Sequence, residues 1–274
     1  MAPNGADPFV VYDTGNNWQF THGNRQASGL TVRSPIINTS LKTLVLITTG
    51  QSLLQNVVPT LHVPTNASVI DQLNVYDGQL YNINGPMLGS SYLSNGGPGN
   101  VMTWVYDSLI TGGFDRVIGA VLNVGSTNIS QWGDIVGIHA NRLTVAIRRL
   151  AARGITPGMT GVTFANILAV GNDDLGLATT QAAFSASLAT YIATTQTVMP
   201  SSRIFVCLDS GSGQTSNNVR SAQAAAVNGT TVFSGGDIDS STIATQDGVH
   251  PSDAGAPTMG TIIYNALHAS GIPF

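Results

Sequence analysis

Residues 43–56 read TLVLITTGQSLLQN, and the fold turns on how they are read. Four consecutive apolar residues, Leu44-Val45-Leu46-Ile47, have the look of a strand covered on both faces, and Gly50 ends it. Ser52 follows two positions later, at the mouth of that strand. A serine there has two ordinary readings. It caps the helix that follows, or it is a nucleophile held at the edge of a sheet. The choice depends on whether the rest of the chain supplies a base, an acid and an oxyanion site.

Working outward, strand, loop and helix alternate from Leu41 onward. Further strand candidates are Arg116–Val124, Gly161–Val170, Arg203–Leu208 and Thr230–Phe233, mostly continuous apolar runs, which with Thr43–Thr48 make five. Three helices separate or follow them. In His139–Arg153, Leu143, Ala146, Ile147 and Leu150 fall on one stripe while Arg142, Arg148, Arg149 and Arg153 point elsewhere, and Gly154 supplies the stop. Thr180–Met199 ends before Pro200, and Pro257–His268 carries Met259, Ile262, Ile263 and Ala266 on one side. The pattern predicts a three-layer α/β/α sandwich around a mostly parallel, five-stranded sheet. Ligands of such sheets bind beyond the carboxyl ends of the strands, where Gly50-Gln51-Ser52 falls. Residues 1–40 lack a long period and read as short strands and turns packed on a main domain of residues 41–274. The Gly/Asn/Ser stretch Asn84–Asn100 is the largest loop and a candidate border of a site.

Composition limits the classes available. Of 274 residues, 42% are hydrophobic, enough for one sizeable core, and only 9% are charged. That uncharged, hydroxyl-rich make-up fits an exported or extracytoplasmic protein. The start, Met-Ala-Pro-Asn-Gly, has no basic region or apolar segment, so no signal peptide is expected in this chain. A net charge of -4 without a basic block argues against nucleic-acid and anionic-membrane partners. No apolar stretch approaches the roughly 20 residues a bilayer-spanning helix needs. The single cysteine, Cys207, lies in an apolar run and is expected to be buried and inert. His22, His62, His139 and His268 share no ligand spacing, so no metal is expected. No sequence pattern sets the oligomeric state.

Residues 246–255, QDGVHPSDAG, contain the chemistry the serine would need. A carboxylate three residues before a histidine, in a loop ahead of a helix, can hold one imidazole nitrogen. The tautomer is then fixed, and the second nitrogen is free to take a proton from a serine hydroxyl. Unassisted, that hydroxyl is a poor nucleophile at neutral pH. Asp237 and Asp239 are rival acids, but spacing to His250 favours Asp247, and turn chemistry accounts for the other two.

At these residues the chain resembles the SGNH, or GDSL-like, hydrolases. Gly50-Gln51-Ser52-Leu53 is similar to the Gly-Asp-Ser-Leu motif, with glutamine in the second place as in sialate O-acetylesterases and related carbohydrate acetylesterases. Asp247-Gly248-Val249-His250-Pro251 resembles the family's last block. Residues 118–132, IGAVLNVGSTNISQW, look like the acetylesterase segment ending in Gly-Gly-Thr-x-Ile and then Trp, and Gly171-Asn172-Asp173-Asp174 resembles the remaining block. The resemblance covers roughly residues 41–270 and implies a flavodoxin-like sheet, Ser52 as nucleophile, His250 as base and Asp247 as its partner. It further implies backbone donation to an oxyanion from Ser52 and Gly125. Two departures stand out. Ser126 replaces the second glycine, where a side chain crowds a turn of positive φ. Asp173 stands where the broad family has asparagine, and an acid there repels an oxyanion, so Asn172, or else Asn128, is the expected side-chain donor.

The expected activity is hydrolysis of a short-chain carboxylic ester through an acyl-enzyme, with no cofactor. By resemblance the substrate is a small-molecule or carbohydrate ester, acetyl first. Two alternatives share the fold: a lipolytic or thioesterase-like enzyme, and a non-catalytic carbohydrate-binding or surface protein. Trp132 is expected to pack in the core or at the rim rather than to serve as a sugar platform.

Overall fold

The computed structural model describes residues 27–35, 37–90, 97–134, 138–211 and 216–273. Expectations for residues 1–26, including His22, and for the middle of the Asn84–Asn100 stretch lie outside these residues.

A central element of the sheet is β2, Thr43–Gly50, buried at every position. Its side chains alternate between two cores. Leu44 and Leu46 join one cluster, while Val45 and Ile47 join another on the opposite face. Backbone groups satisfied by two neighbours make such a strand stable in the interior. β2 runs parallel to β5, Arg116–Val121, on one side and to β6, Val162–Ala169, on the other. Parallel pairing continues from β6 to β7, Arg203–Leu208, and from β7 to β8, Val232–Asp237.

The sheet has eight strands rather than five. The additional three lie beyond β5: β3, Ile70–Leu73, runs parallel to β5, and β4, Leu80–Asn82, and β1, Val32–Arg33, add antiparallel pairings. Polar side chains within β3 and β4 hide them from an apolar-run reading. Asp71 is fully buried against the Arg116 guanidinium. Gln72 accepts from the Leu88 N–H at 2.8 Å and donates to the Asn82 carbonyl at 3.0 Å. Buried polar groups partnered in this way are tolerated in a strand. β1 also brings residues 32–33 of the N-terminal stretch into the same sheet.

Helices cover both faces. α1, Met102–Thr111, and α7, Gly255–Ala269, pack on the Leu44/Leu46 side. On the other side lie α3, Ile138–Ala151, α5, Gln181–Val198, and α6, Asn218–Ala226. Two five-residue helices, α2, Ile129–Gly133, and α4, Asn172–Gly176, follow the ends of β5 and β6. One residue of α3 departs from expectation. Arg142 is not on an outward face but fully buried, and its guanidinium donates to the Gly89 carbonyl. Cys207 is buried in β7, and Trp132 is buried with its indole N–H donating to Thr127 Oγ1 at 2.9 Å. None of the described helices is long and apolar enough to cross a membrane.

Candidate active site

The carboxyl end of β2 is fixed tightly. Gly50 has a φ of 107°, and a Cβ there would lie 1.9 Å from the Ala169 carbonyl oxygen at the end of β6. Only glycine permits that approach. The Gln51 N–H donates to the same carbonyl at 2.7 Å, and the Gly50 carbonyl accepts from the Val124 N–H at 2.8 Å. The chain then makes a one-turn 3-10 helix, Ser52–Leu54, closed by the Gln55 N–H on the Ser52 carbonyl and anchored by buried Leu53 and Leu54. Gln51 occupies the cap position and makes no side-chain cap bond. The Ser52 hydroxyl therefore does not cap this turn. It meets His250 Nε2 at 2.9 Å.

His250 is oriented by its own loop. Asp247 Oδ1 accepts from the Val249 N–H at 3.0 Å and the His250 N–H at 2.7 Å, leaving Oδ2 to meet His250 Nδ1 at 2.7 Å. The structure thus brings Ser52, His250 and Asp247 into one hydrogen-bonded line from two distant stretches of the sequence. Partial burial works against the Asp247 charge, but the imidazole and the two N–H donors outweigh it and hold the carboxyl below its ordinary range. Half of the Asp247 side chain is exposed, so this is a wet charge whose main effect is orientation. The rival acids are engaged elsewhere. Asp237 pairs with Arg220, and Asp239 accepts from the Ser210 N–H at 2.8 Å.

The oxyanion candidates lie on the loops after β5 and β6. Gly125 packs against the turn that holds Ser52, since a Cβ there would stand 3.0 Å from Gln55 Oε1. Ser126 has a φ of 54°, an uncommon conformation for a residue with a side chain, so the predicted strain is present. Asn128 Oδ1 accepts from the Ser130 and Gln131 N–H groups in a capping box at the start of α2. Asn172 opens α4 with Oδ1 directed towards Gly211. No hydrogen bond joins Gly125, Asn128 or Asn172 to Ser52 among the described residues. Ser126, Asn128, Asn172, Asp173, Gly176 and Leu177 line an open cleft of about 510 Å³.

Carboxyls beneath these loops are perturbed. Burial, reinforced by Asp239, drives Asp209 well above the ordinary range, opposed by the Gln51 amide, whose Nε2 is 3.3 Å from both carboxyl oxygens. Asp174 ties the two loops together: its Oδ2 accepts from the Ile129 N–H at 2.9 Å and its Oδ1 from Thr179 at 3.2 Å. Burial nevertheless pushes it up to about 6, past the opposing effect of those donors and helped by Asp173. A raised folded-state value means that the folded form holds its proton more tightly than the unfolded form. The stability this contributes is complete below about 4 and is lost as pH rises through about 6. Unfolding free energy measured against pH should therefore fall over this window, and Asp174→Asn should flatten the fall. Asp209 contributes with the same sign, so the informative quantity is the difference between the two curves, and identical slopes would refute the assignment.

The sheet is mostly parallel and covered by helices on both faces, and this line of side chains stands at its carboxyl edge. Among solved structures, the chain is similar to a protein from Arabidopsis thaliana at a TM-score of 0.61 and 15% identity, covering 84% of this chain and 98% of that one. It is also similar to a carbohydrate acetylesterase from Xanthomonas citri at a TM-score of 0.50 and 13% identity, covering 82% of this chain and 56% of that one. Likeness at such identities is likeness of fold. No protein-family model matches the chain, and no curated protein matches it.

Proposed function

We propose that this protein is an SGNH-type serine esterase that removes short acyl groups, acetyl first, from alcohols of carbohydrate type. The observation that carries the reading is the pair of contacts on one imidazole, 2.9 Å from Nε2 to Ser52 Oγ and 2.7 Å from Nδ1 to Asp247 Oδ2. With Nδ1–H donated to the carboxylate, Nε2 presents its lone pair to the hydroxyl. Ser52 Oγ attacks the ester carbonyl while its proton passes to His250, and the imidazolium then protonates the departing alcohol. Water repeats the sequence on the acyl-enzyme and releases the acid. The Ser52 and Gly125 N–H groups and the Asn172 amide are assigned to the developing oxyanion, where one such donor contributes about 2.7–4 kcal/mol.

The carbohydrate part of the reading draws on the cleft beside these loops, where Ser126, Asn128, Asn172 and Asp173 offer polar groups to a hydroxylated alcohol. The similar Xanthomonas citri protein is itself a carbohydrate acetylesterase. Hydrolysis of a p-nitrophenyl ester series tests the proposal, together with capture by a fluorophosphonate located by peptide mass. Acetate should be the best acyl group, with a steep fall beyond butyrate, and the adduct should sit on Ser52. Absence of both turnover and adduct rejects the esterase reading, and preference for long chains moves it to a lipolytic one.

A further inference from the structure

The alignment of His250 with Ser52 joins residues 198 positions apart in the chain. Within its loop, His250 has one side-chain anchor, the half-exposed Asp247. That anchor fixes the ring relative to the loop and does nothing to fix the loop relative to the serine. The loop itself is closed by a Thr245–Pro251 bridge, by the Gln246 N–H on the His250 carbonyl at 2.9 Å and by the Ser252 N–H on the Ala244 carbonyl at 3.0 Å. Two side chains then cross from this closed loop to the segment leaving the Ser52 turn. Gln246 Nε2 donates to the Val57 carbonyl at 2.7 Å. Asp253 accepts twice from Thr60, with the N–H at 2.9 Å on Oδ1 and the hydroxyl at 2.8 Å on Oδ2.

The far side of that segment is also held. The Val57 and Val58 N–H groups both donate to the Gly99 carbonyl at 3.0 Å, and the Asn56 side chain brackets Met87 with bonds of 2.9 and 3.2 Å. Gln246 and Asp253 therefore grip a fixed rail, one on each side of His250 in sequence.

We propose that Gln246 and Asp253 are positioning residues that clamp the histidine loop to the nucleophile segment and so set the distance from His250 Nε2 to Ser52 Oγ. Neither touches the reacting atoms. The inference rests on the esterase reading for its consequence in rate, because a proton transfer needs its partners within about 0.5 Å of productive geometry. A displacement of about 1 Å costs up to about 100-fold.

The double variant Gln246→Ala/Asp253→Ala is compared with the wild-type protein on p-nitrophenyl acetate. kcat should fall about 10- to 100-fold while KM stays within about twofold, since the clamp serves the proton transfer and not substrate binding. Asp253→Asn keeps an acceptor for the Thr60 N–H and offers its amide to the Thr60 hydroxyl, and it should remain near wild-type. If the double variant does not fold, the two single alanine variants carry the same comparison. A second readout separates this inference from the esterase reading. In ring ¹⁵N spectra of His250, assigned by their loss in His250→Asn, the Nε2 signal should carry the shift of its hydrogen bond to Ser52 in the wild type and lose that shift in the double variant, while Nδ1, held by Asp247, stays where it is. Wild-type kcat and unchanged ring signals in a folded double variant overturn the clamp. A wild-type protein without esterase activity rejects the reaction, and the ring signals alone then decide the clamp.

Discussion

Ser52→Ala should remove ester hydrolysis, by about 10⁴-fold or more in kcat, and leave the fold intact. The rate expectation follows from what the hydroxyl does in the proposed reaction. Without Oγ no acyl-enzyme forms, and what remains is whatever His250, the oxyanion donors and bound water achieve together, which in serine hydrolases is a small residue of the full acceleration. The stability expectation follows from the contacts. Ser52 Oγ makes no cap bond, and its turn is closed by backbone groups and by buried Leu53 and Leu54. The substitution forfeits one hydrogen bond, worth about 0.5–1.5 kcal/mol. His250, with a side chain 13% exposed, can take a water in place of the hydroxyl. For a chain of this size that corresponds to a Tm change of a few degrees at most. Release of p-nitrophenol and thermal unfolding measured on the same preparation decide the matter. A variant that keeps activity within tenfold of wild type would remove Ser52 from the reaction.

The parts of this molecule that could be read from sequence are those whose physics is local. β2, β5, β6 and β7 announce themselves because strands covered on both faces need mostly apolar runs, and α5 carries its own stop at its end. Ser52, Asp247 and His250 sit in short motifs whose spacing already implies the contacts later seen between Asp247 and His250. β3 and β4 were illegible for the opposite reason. Asp71, Gln72 and Asn82 are buried polar residues whose partners lie 10 to 51 positions away, and nothing near them in sequence shows that they are satisfied. Arg142 is the same case on a helix, its charged group turned inward to a backbone carbonyl 53 residues away. α1 is different, since Met102, Val105, Tyr106 and Leu109 form a helical stripe that the sequence does carry. The clamp residues Gln246 and Asp253 reach across 189 and 193 positions and have no local signature at all.

Gly50→Ala should be among the most damaging glycine-to-alanine changes in this protein. The new Cβ would meet the Ala169 carbonyl oxygen at 1.9 Å and its carbon at 2.5 Å. These are backbone atoms of β6, which cannot swing aside as the end of a side chain does. β2 cannot retreat either, because β5 holds its other edge and both faces are packed. The φ of 107° adds conformational strain on top of the clash. A cost of about 3 kcal/mol or more is expected, lowering Tm by about 6–12 °C. Whatever fraction still folds must relieve the contact by shifting the strand end, and Ser52 is two residues downstream. A shift of about 1 Å there weakens catalysis up to about 100-fold beyond the loss of folded protein. Gly154→Ala separates the two contributions, because Gly154 also has a positive φ, 75°, yet has open space where its Cβ would be and lies far from the serine in sequence. It should cost only about 1–2 kcal/mol and leave turnover per folded molecule unchanged. If calorimetry finds Gly50→Ala no less stable than Gly154→Ala, the tight approach of Gly50 to Ala169 in the neighbouring strand does not exist, and the placement of Ser52 at the sheet edge loses its foundation.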